Sequence, residues 1–289
     1  MKTSSGTVPY SPKIYSAESE LRHPVRLFKT MWRDLLASRE IAWRLMVRDI
    51  NTRYRQSLLG FGWAILPPVV LAFGFTLAGN AKVINIADTE LPYTAYVMFS
   101  MILWQTFVDA LNGPVQGVAN AKTMLSRINF PPEGLLLAKL GENLFNFGIK
   151  LVLIVAIFLW YGMPITWKAL LAPFALLELI MLGTLIGVFL APLGALYQDV
   201  THGLTIFTGF WLFLTPVVYP VPDSGLFATI VKTNPVTPLL VTTRELATTG
   251  IVSDPYRFFI VSAITIVGLF LTWVVFRLGM PFAIERVSS

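Results

Sequence analysis

Six stretches of this sequence carry no Asp, Glu, Lys or Arg: 57–81, 91–108, 151–167, 179–198, 203–222 and 258–276. A helix crosses the hydrocarbon core of a bilayer in roughly 17–25 residues, so each run is long enough to span. The third and fourth extend backward through the single charges Lys150 and Glu178. Charged residues make up only 13% of the chain and hydrophobic ones 55%, against about 25% charged in soluble domains. The pattern predicts an all-α integral membrane protein with six transmembrane helices over 57–289. Residues 1–23 read as a disordered cytoplasmic tail, since they lack the apolar core of a secretory signal, and residues 24–56 as an amphipathic segment at the membrane surface.

The basic residues set an orientation. Residues 1–60 hold 11 Lys/Arg, the link between spans two and three adds Lys122, Arg127 and Lys139, and the end of the chain adds Arg277 and Arg286. The alternate segments hold only Lys82, Lys168, Lys232, Arg244 and Arg257. Because positive residues are retained on the cytoplasmic side, both termini are expected in the cytoplasm. The net charge of +6 therefore points to membrane topology and anionic lipid, and not to nucleic acid.

Three segments outside the runs have helical character. In 24–55, Trp32, Leu35, Leu36, Trp43, Met46, Val47 and Ile50 share a face at helical spacing, and Ser38 is placed to break the segment in two. This is the pattern of a helix lying in the headgroup layer; whether it also receives a soluble partner stays open. Between spans two and three, 120–128 forms a short helical pattern ended by Pro131-Pro132, which cannot continue a helix. Its ridge of Met124, Leu125 and Ile128, flanked by Lys122 and Arg127, reads as a linker or as a surface offered to another protein. Between spans five and six, 223–257 contains a further helical stretch. Asn234-Pro235 is a helix start and Gly250 a stop, while Leu226, Ile230, Leu239, Leu240 and Leu246 predict that the segment packs against the spans.

Much chemistry is excluded. The chain has no Cys and two His, His23 and His202, so thiol chemistry and a His-based metal site drop out. The dipeptide Gly-Lys is absent, and with it the phosphate-cradling loop G-x-x-x-x-G-K-[ST]. No catalytic or cofactor site is predicted. Lys150 and Glu178, on neighbouring antiparallel spans, are expected to pair, because a lone charge in a span costs about 2.5–3.5 kcal/mol. Most of the 21 Phe, 9 Tyr and 8 Trp suit interfacial belts. Phe207, Phe210 and Trp211 cluster within span five, either as packing or as rings along a passage, where sugars can lie against them.

Several stretches, taken in order, resemble the membrane subunits of bacterial polysaccharide ABC exporters, the permeases for O-antigen, teichoic acid and capsule. They are RDINTRYRQSLLGFGWAILPP (48–68), INFPPEGLLLAKL (128–140), LYQDV (196–200), LTPVVYPVP (214–222) and NPVTPLLVTTRELATTG (234–250). Gln198 departs from the family, which often has arginine before that aspartate. The resemblance implies a homodimer in the bacterial inner membrane, docked to two copies of a separate ATPase that holds the ATP and Mg. It also implies a lipid-linked glycan as substrate. The segment before span one would be an interface helix and 120–128 a coupling helix, with Arg48, Arg53, Arg55, Lys122, Met124, Leu125 and Arg127 bordering the ATPase. Asn234, Pro235 and Arg244 would belong to gate helices. Because aromatic rings give weak, orientation-tolerant contacts, some of Trp63, Phe207, Phe210 and Trp211 are expected to face the dimer interior and touch the glycan. A related permease for a drug or lipid, and a membrane-embedded glycosyltransferase, are the alternatives.

Overall fold

A computed structural model describes residues 24–55, 57–80, 91–127, 131–163 and 166–288, with the side chains of 24–26, 80, 126–127 and 287–288 left out. The predicted tail, 1–23, lies outside the described residues. Those residues form helices and no strands: α1 (Pro24–Ala37), α2 (Arg39–Arg55), α3 (Gly62–Asn80), α4 (Tyr93–Arg127), α5 (Glu133–Tyr161), a 3-10 turn (Trp167–Leu171), α6 (Ala172–Leu196), α7 (Gln198–Phe213), α8 (Leu226–Thr233), α9 (Val236–Ala247) and α10 (Pro255–Ser288).

Five of these helices, α3, α4, α5, α6 with its preceding turn, and α10, are long and apolar enough to cross a membrane. The fifth sequence run does not make a sixth such helix. α7 has 16 residues, about 24 Å at 1.5 Å per residue, short of the ~30 Å core. The chain then leaves the helix through Leu214–Pro222, where Pro216, Pro220 and Pro222 deny it the donors that a helix needs.

α4 forms the centre. Its wall of Phe99, Ile102, Leu103, Phe107 and Leu111 is nearly inaccessible to solvent and packs on Leu179 and Ile180 of α6. Two glycines of α6 set the distance between the helices. A Cβ on Gly183 would lie 2.7 Å from the Phe107 carbonyl oxygen, and one on Gly187 would run into that of Leu111. Small residues four apart let spans approach this closely, and packing then replaces the hydrophobic drive that lipid cannot supply.

With 35 residues, α4 is about 50 Å long, so one end projects beyond the core. The predicted separate helix at 120–128 is the last turns of this helix as far as Arg127; Ile128 lies outside the described residues. Leu125 is turned inward, in a buried cluster that also holds Ala42, Leu45 and Leu135, while Met124 is only partly buried at its edge.

The amphipathic segment also docks on a different face from the one that its apolar periodicity marks. Leu27, Met31, Asp34, Ser38, Ala42 and Leu45 are buried, while Trp32, Leu36 and Trp43 stay exposed. Ser38 does separate α1 from α2, but its hydroxyl donates back to the Asp34 carbonyl at 2.6 Å, and does not cap α2. Asp34 can face inward because a cation meets it there, which hydropathy alone does not weigh.

Candidate functional site

Three polar constructions occupy the two ends and the middle of the bundle. At the end carrying α1 and α2, Arg277 of α10 donates from Nη1 to Glu133 at 2.8 Å and from Nη2 to Asp34 at 2.7 Å. All three side chains are buried. Glu133 opens α5 directly after Pro131-Pro132, where the helix dipole also favours an acid. Arg277 lies within α10, which runs on to Ser288.

Beside this triad, α2 is fastened to α5. Lys139 Nζ donates to Asp49 at 2.9 Å and to Glu142 at 2.7 Å, Arg53 reaches Glu142 at 2.9 Å, and the Tyr54 hydroxyl donates to Asn146 at 2.7 Å. Lys139, Glu142 and Asn146 stand three and four residues apart, so one face of α5 receives the whole helix. Burial works to raise the pKa of Asp49, but the hydrogen bonds from Lys139 and Arg48 outweigh it and hold the carboxyl below its ordinary range. Of the basic residues expected to border a partner, Arg48 pairs with Asp49, Arg53 is committed to Glu142, and Arg55 is exposed. Lys122 is half-buried, and the side chain of Arg127 lies outside the described residues.

In the middle, Lys150 is not paired with Glu178. Its Nζ lies 2.9 Å from Asp109 of α4, and Oε2 of Glu178 is buried with no hydrogen-bond partner. Asp109 went unnoticed because it ends an uncharged run. A usable signal was present: Asp109 lies 18 residues before the end of α4 and Lys150 lies 17 after the start of α5. In an antiparallel hairpin, equal distance from the link means equal depth.

At the opposite end, the irregular stretch after α7 is held by side chains. Carbonyl groups that leave a helix still need donors, and here they come from α4, α9 and their flanks. Asn234 donates to the Leu214 carbonyl at 3.0 Å and to the Thr215 hydroxyl at 2.9 Å, while its own carbonyl accepts from the Trp211 indole and the Val236 amide at 3.1 Å each. Arg244 donates to the Pro216 carbonyl at 3.2 Å and to Ser100 at 2.8 Å, its guanidinium 4.1 Å from the ring centre of Tyr96. Tyr96 donates to the Tyr219 carbonyl and Tyr93 to that of Val218, both at 2.9 Å. Burial, reinforced by Tyr96, pushes the Tyr219 phenol up to about 12.

Asn234 and Arg244 are buried, whereas Pro235 is exposed. Leu239, Leu240 and Leu246 on α9 face inward, but on α8 that role falls to Ala228 and Val231, with Leu226 and Ile230 exposed. Sequence reading missed Tyr93, Tyr96 and Ser100, which sit at the start of α4 in a run notable only for being apolar.

The four aromatics divide into two kinds. Trp211 is tied inward, edge-on to Phe107 at 5.4 Å and to Trp104 at 6.3 Å. Phe207 rests on it at 5.2 Å, and Phe207, Phe210 and Trp63 are more than half exposed.

A family model described as "ABC-2 type transporter" matches residues 41–247. The chain is 26% identical to the O-antigen export system permease protein RfbA of Myxococcus xanthus, over 72% of its own length and 80% of the relative's. It is 24% identical to an RfbA of Klebsiella pneumoniae, over 78% and 85% of the two chains. To the capsule polysaccharide export inner-membrane protein CtrC of Neisseria meningitidis serogroup B it is 25% identical, over 70% and 74%.

Proposed function

The chain belongs to the ABC-2 type transporter family, and from that premise we propose that it is the permease subunit of an ATP-driven polysaccharide exporter. In this reading two copies form the passage, in a bacterial cytoplasmic membrane with both termini inside. Each copy docks a separate ATPase subunit, which holds ATP and Mg, and a lipid-linked glycan crosses between them. The names of the relatives support the substrate class. The observation that carries the mechanism is the exposed aromatic surface of α7, Phe207 and Phe210, backed by Trp211.

Such a surface suits a long, hydrated and variable cargo. Rings give weak contacts that tolerate many orientations and lose little entropy on binding, whereas a tight hydrogen-bonding site would hold each sugar. Because Trp211 also supports Asn234, Phe207 and Phe210 are the residues to vary. At the end bearing α1 and α2, the projecting part of α4 and the α2–α5 network form one block, through which a docked ATPase can move the spans. Leu125 is internal, so Met124, Arg48, Arg55, Lys122 and Arg127 are left to border that partner.

The test is reconstitution with an ATPase subunit that co-purifies with this chain, measuring ATP hydrolysis stimulated by lipid-linked glycan. The Phe207→Leu/Phe210→Leu variant should keep basal hydrolysis and lose most of the stimulation. No stimulation of the unaltered pair by any lipid-linked glycan would refute the export reading. Full stimulation in the double variant would refute only the role of the rings.

A further inference from the structure

At the end opposite α1 and α2, a cavity of about 420 Å³ opens between the irregular stretch after α7, helices α8 and α9, and the start of α10. Its charges are unevenly used. Of its two carboxylates, Glu245 accepts from the Ser253 amide and hydroxyl, and Asp254 is paired with Arg257 at 3.3 Å and accepts the Arg257 amide. Glu245 keeps its charge but is turned to Ser253, so the lining carries three cations, Lys232, Arg244 and Arg257, against two carboxylates. Among the described residues, Arg244 donates hydrogen bonds from Nη1 alone, rests its guanidinium over the Tyr96 ring and forms no ion pair. Among the described residues the Lys232 ammonium makes a single hydrogen bond, to the Asp223 carbonyl at 2.9 Å.

A second observation points to a missing acceptor. Thr237, only 6% exposed, lines the same cavity, and its hydroxyl has no hydrogen-bond partner. Thr237, Val241, Arg244 and Thr248 stand on one face of α9 at helical spacing. A planar guanidinium with unused N–H groups, a mobile ammonium and an unsatisfied hydroxyl together fit a compact anion with several acceptor oxygens.

We propose that this cavity binds the phosphate of a membrane-lipid headgroup. The site lies where spanning helices end, which is the depth of headgroups, and an Arg and a Lys there can both donate to a lipid phosphate. Tyr256 and Phe259, in the first turns of α10, are exposed beside it and offer an apolar surface to the acyl chains. An occupant would join α8, α9 and α10 to the stretch after α7. Lipid composition would then bear on how readily this end rearranges.

The test uses the full chain purified in detergent and read by its thermal midpoint. Short-chain phosphatidylglycerol, short-chain diacylglycerol and inorganic phosphate are titrated in turn. Phosphatidylglycerol should give a saturable rise and diacylglycerol none. Lys232→Gln and Thr237→Val should each weaken that binding about tenfold, the scale of one charge-assisted hydrogen bond, while leaving the ligand-free midpoint unchanged. Arg244→Lys, which keeps the charge and loses the fork, should weaken binding further. Unaltered affinity in the first two variants, or an equal response to diacylglycerol, would overturn the proposal. An equally tight and variant-sensitive response to inorganic phosphate would show a free-anion site and overturn the assignment to lipid. No ATPase or glycan enters this experiment, so its outcome is separate from that of the export test.

Discussion

The two ends of the bundle are held by different chemistry. At the end with α1 and α2, buried opposite charges from segments far apart in the chain meet directly, as Asp34 and Arg277 do across 243 residues. At the other end, neutral carbonyl groups of a proline-rich stretch accept from Tyr93, Tyr96, Asn234 and Arg244. The consequences of loss differ accordingly. A charge deprived of its partner in a dry interior has no substitute, whereas a carbonyl near the membrane surface can turn to water. The first end is therefore costly to disrupt, and the second rearranges at modest cost.

The largest expected effect breaks the charged end. Arg277→Met strands Glu133 and Asp34 and should lower stability by about 3–5 kcal/mol, read by unfolding in detergent. Adding Asp34→Leu and Glu133→Leu should recover most of that loss. A triple variant as unstable as the single one would mean that packing, not charge, holds this end.

At the opposite end the losses should be smaller. Arg244→Met removes the bonds to Ser100 and Pro216, with an expected cost of about 1.5–3 kcal/mol. Asn234→Ala takes the acceptor from the Trp211 indole and the Val236 amide, costing about 1–2 kcal/mol, as for loss of a helix cap. Hydrogen exchange should show faster opening of 214–222 in both variants and unchanged protection in α2. Exchange that rises equally at both ends would erase the distinction.

The smallest effect is one of pH. The folded pKa of Asp49 is lowered, so its contribution is present above the unfolded value and lost as pH falls through the folded one. The stability difference between the native chain and Asp49→Asn should therefore shrink on acidification through the carboxylate range. A difference that grows instead would show that Lys139 and Arg48 do not hold Asp49 ionised.

How far each part was legible depended on whether its cause was local. The start of α9 at Asn234-Pro235 and the positive φ of Gly250 follow from what those residues can do by themselves. Leu125 could not be placed in that way. An apolar ridge beside basic residues looks the same whether it meets a partner protein or, as here, Ala42 and Leu45 of the same chain. Nor did the apolar periodicity of 24–55 reveal its inward face, because Asp34 is made compatible with burial by a residue on the last helix.

Sequence alone determined that this chain lives in a membrane, where its apolar runs lie, and that it carries no phosphate-cradling ATP loop. These follow from hydropathy and from the covalent restrictions of proline and glycine, which act over a few residues. Only the tertiary structure decided that Lys150 answers Asp109 and not Glu178, that Trp211 faces inward while Phe207 and Phe210 do not, and that Arg244 keeps donors in reserve. Each of these depends on which helices adjoin and at what rotation. That is settled by close approach at Gly183 and Gly187 and by charge pairs as far as 243 residues apart in the chain.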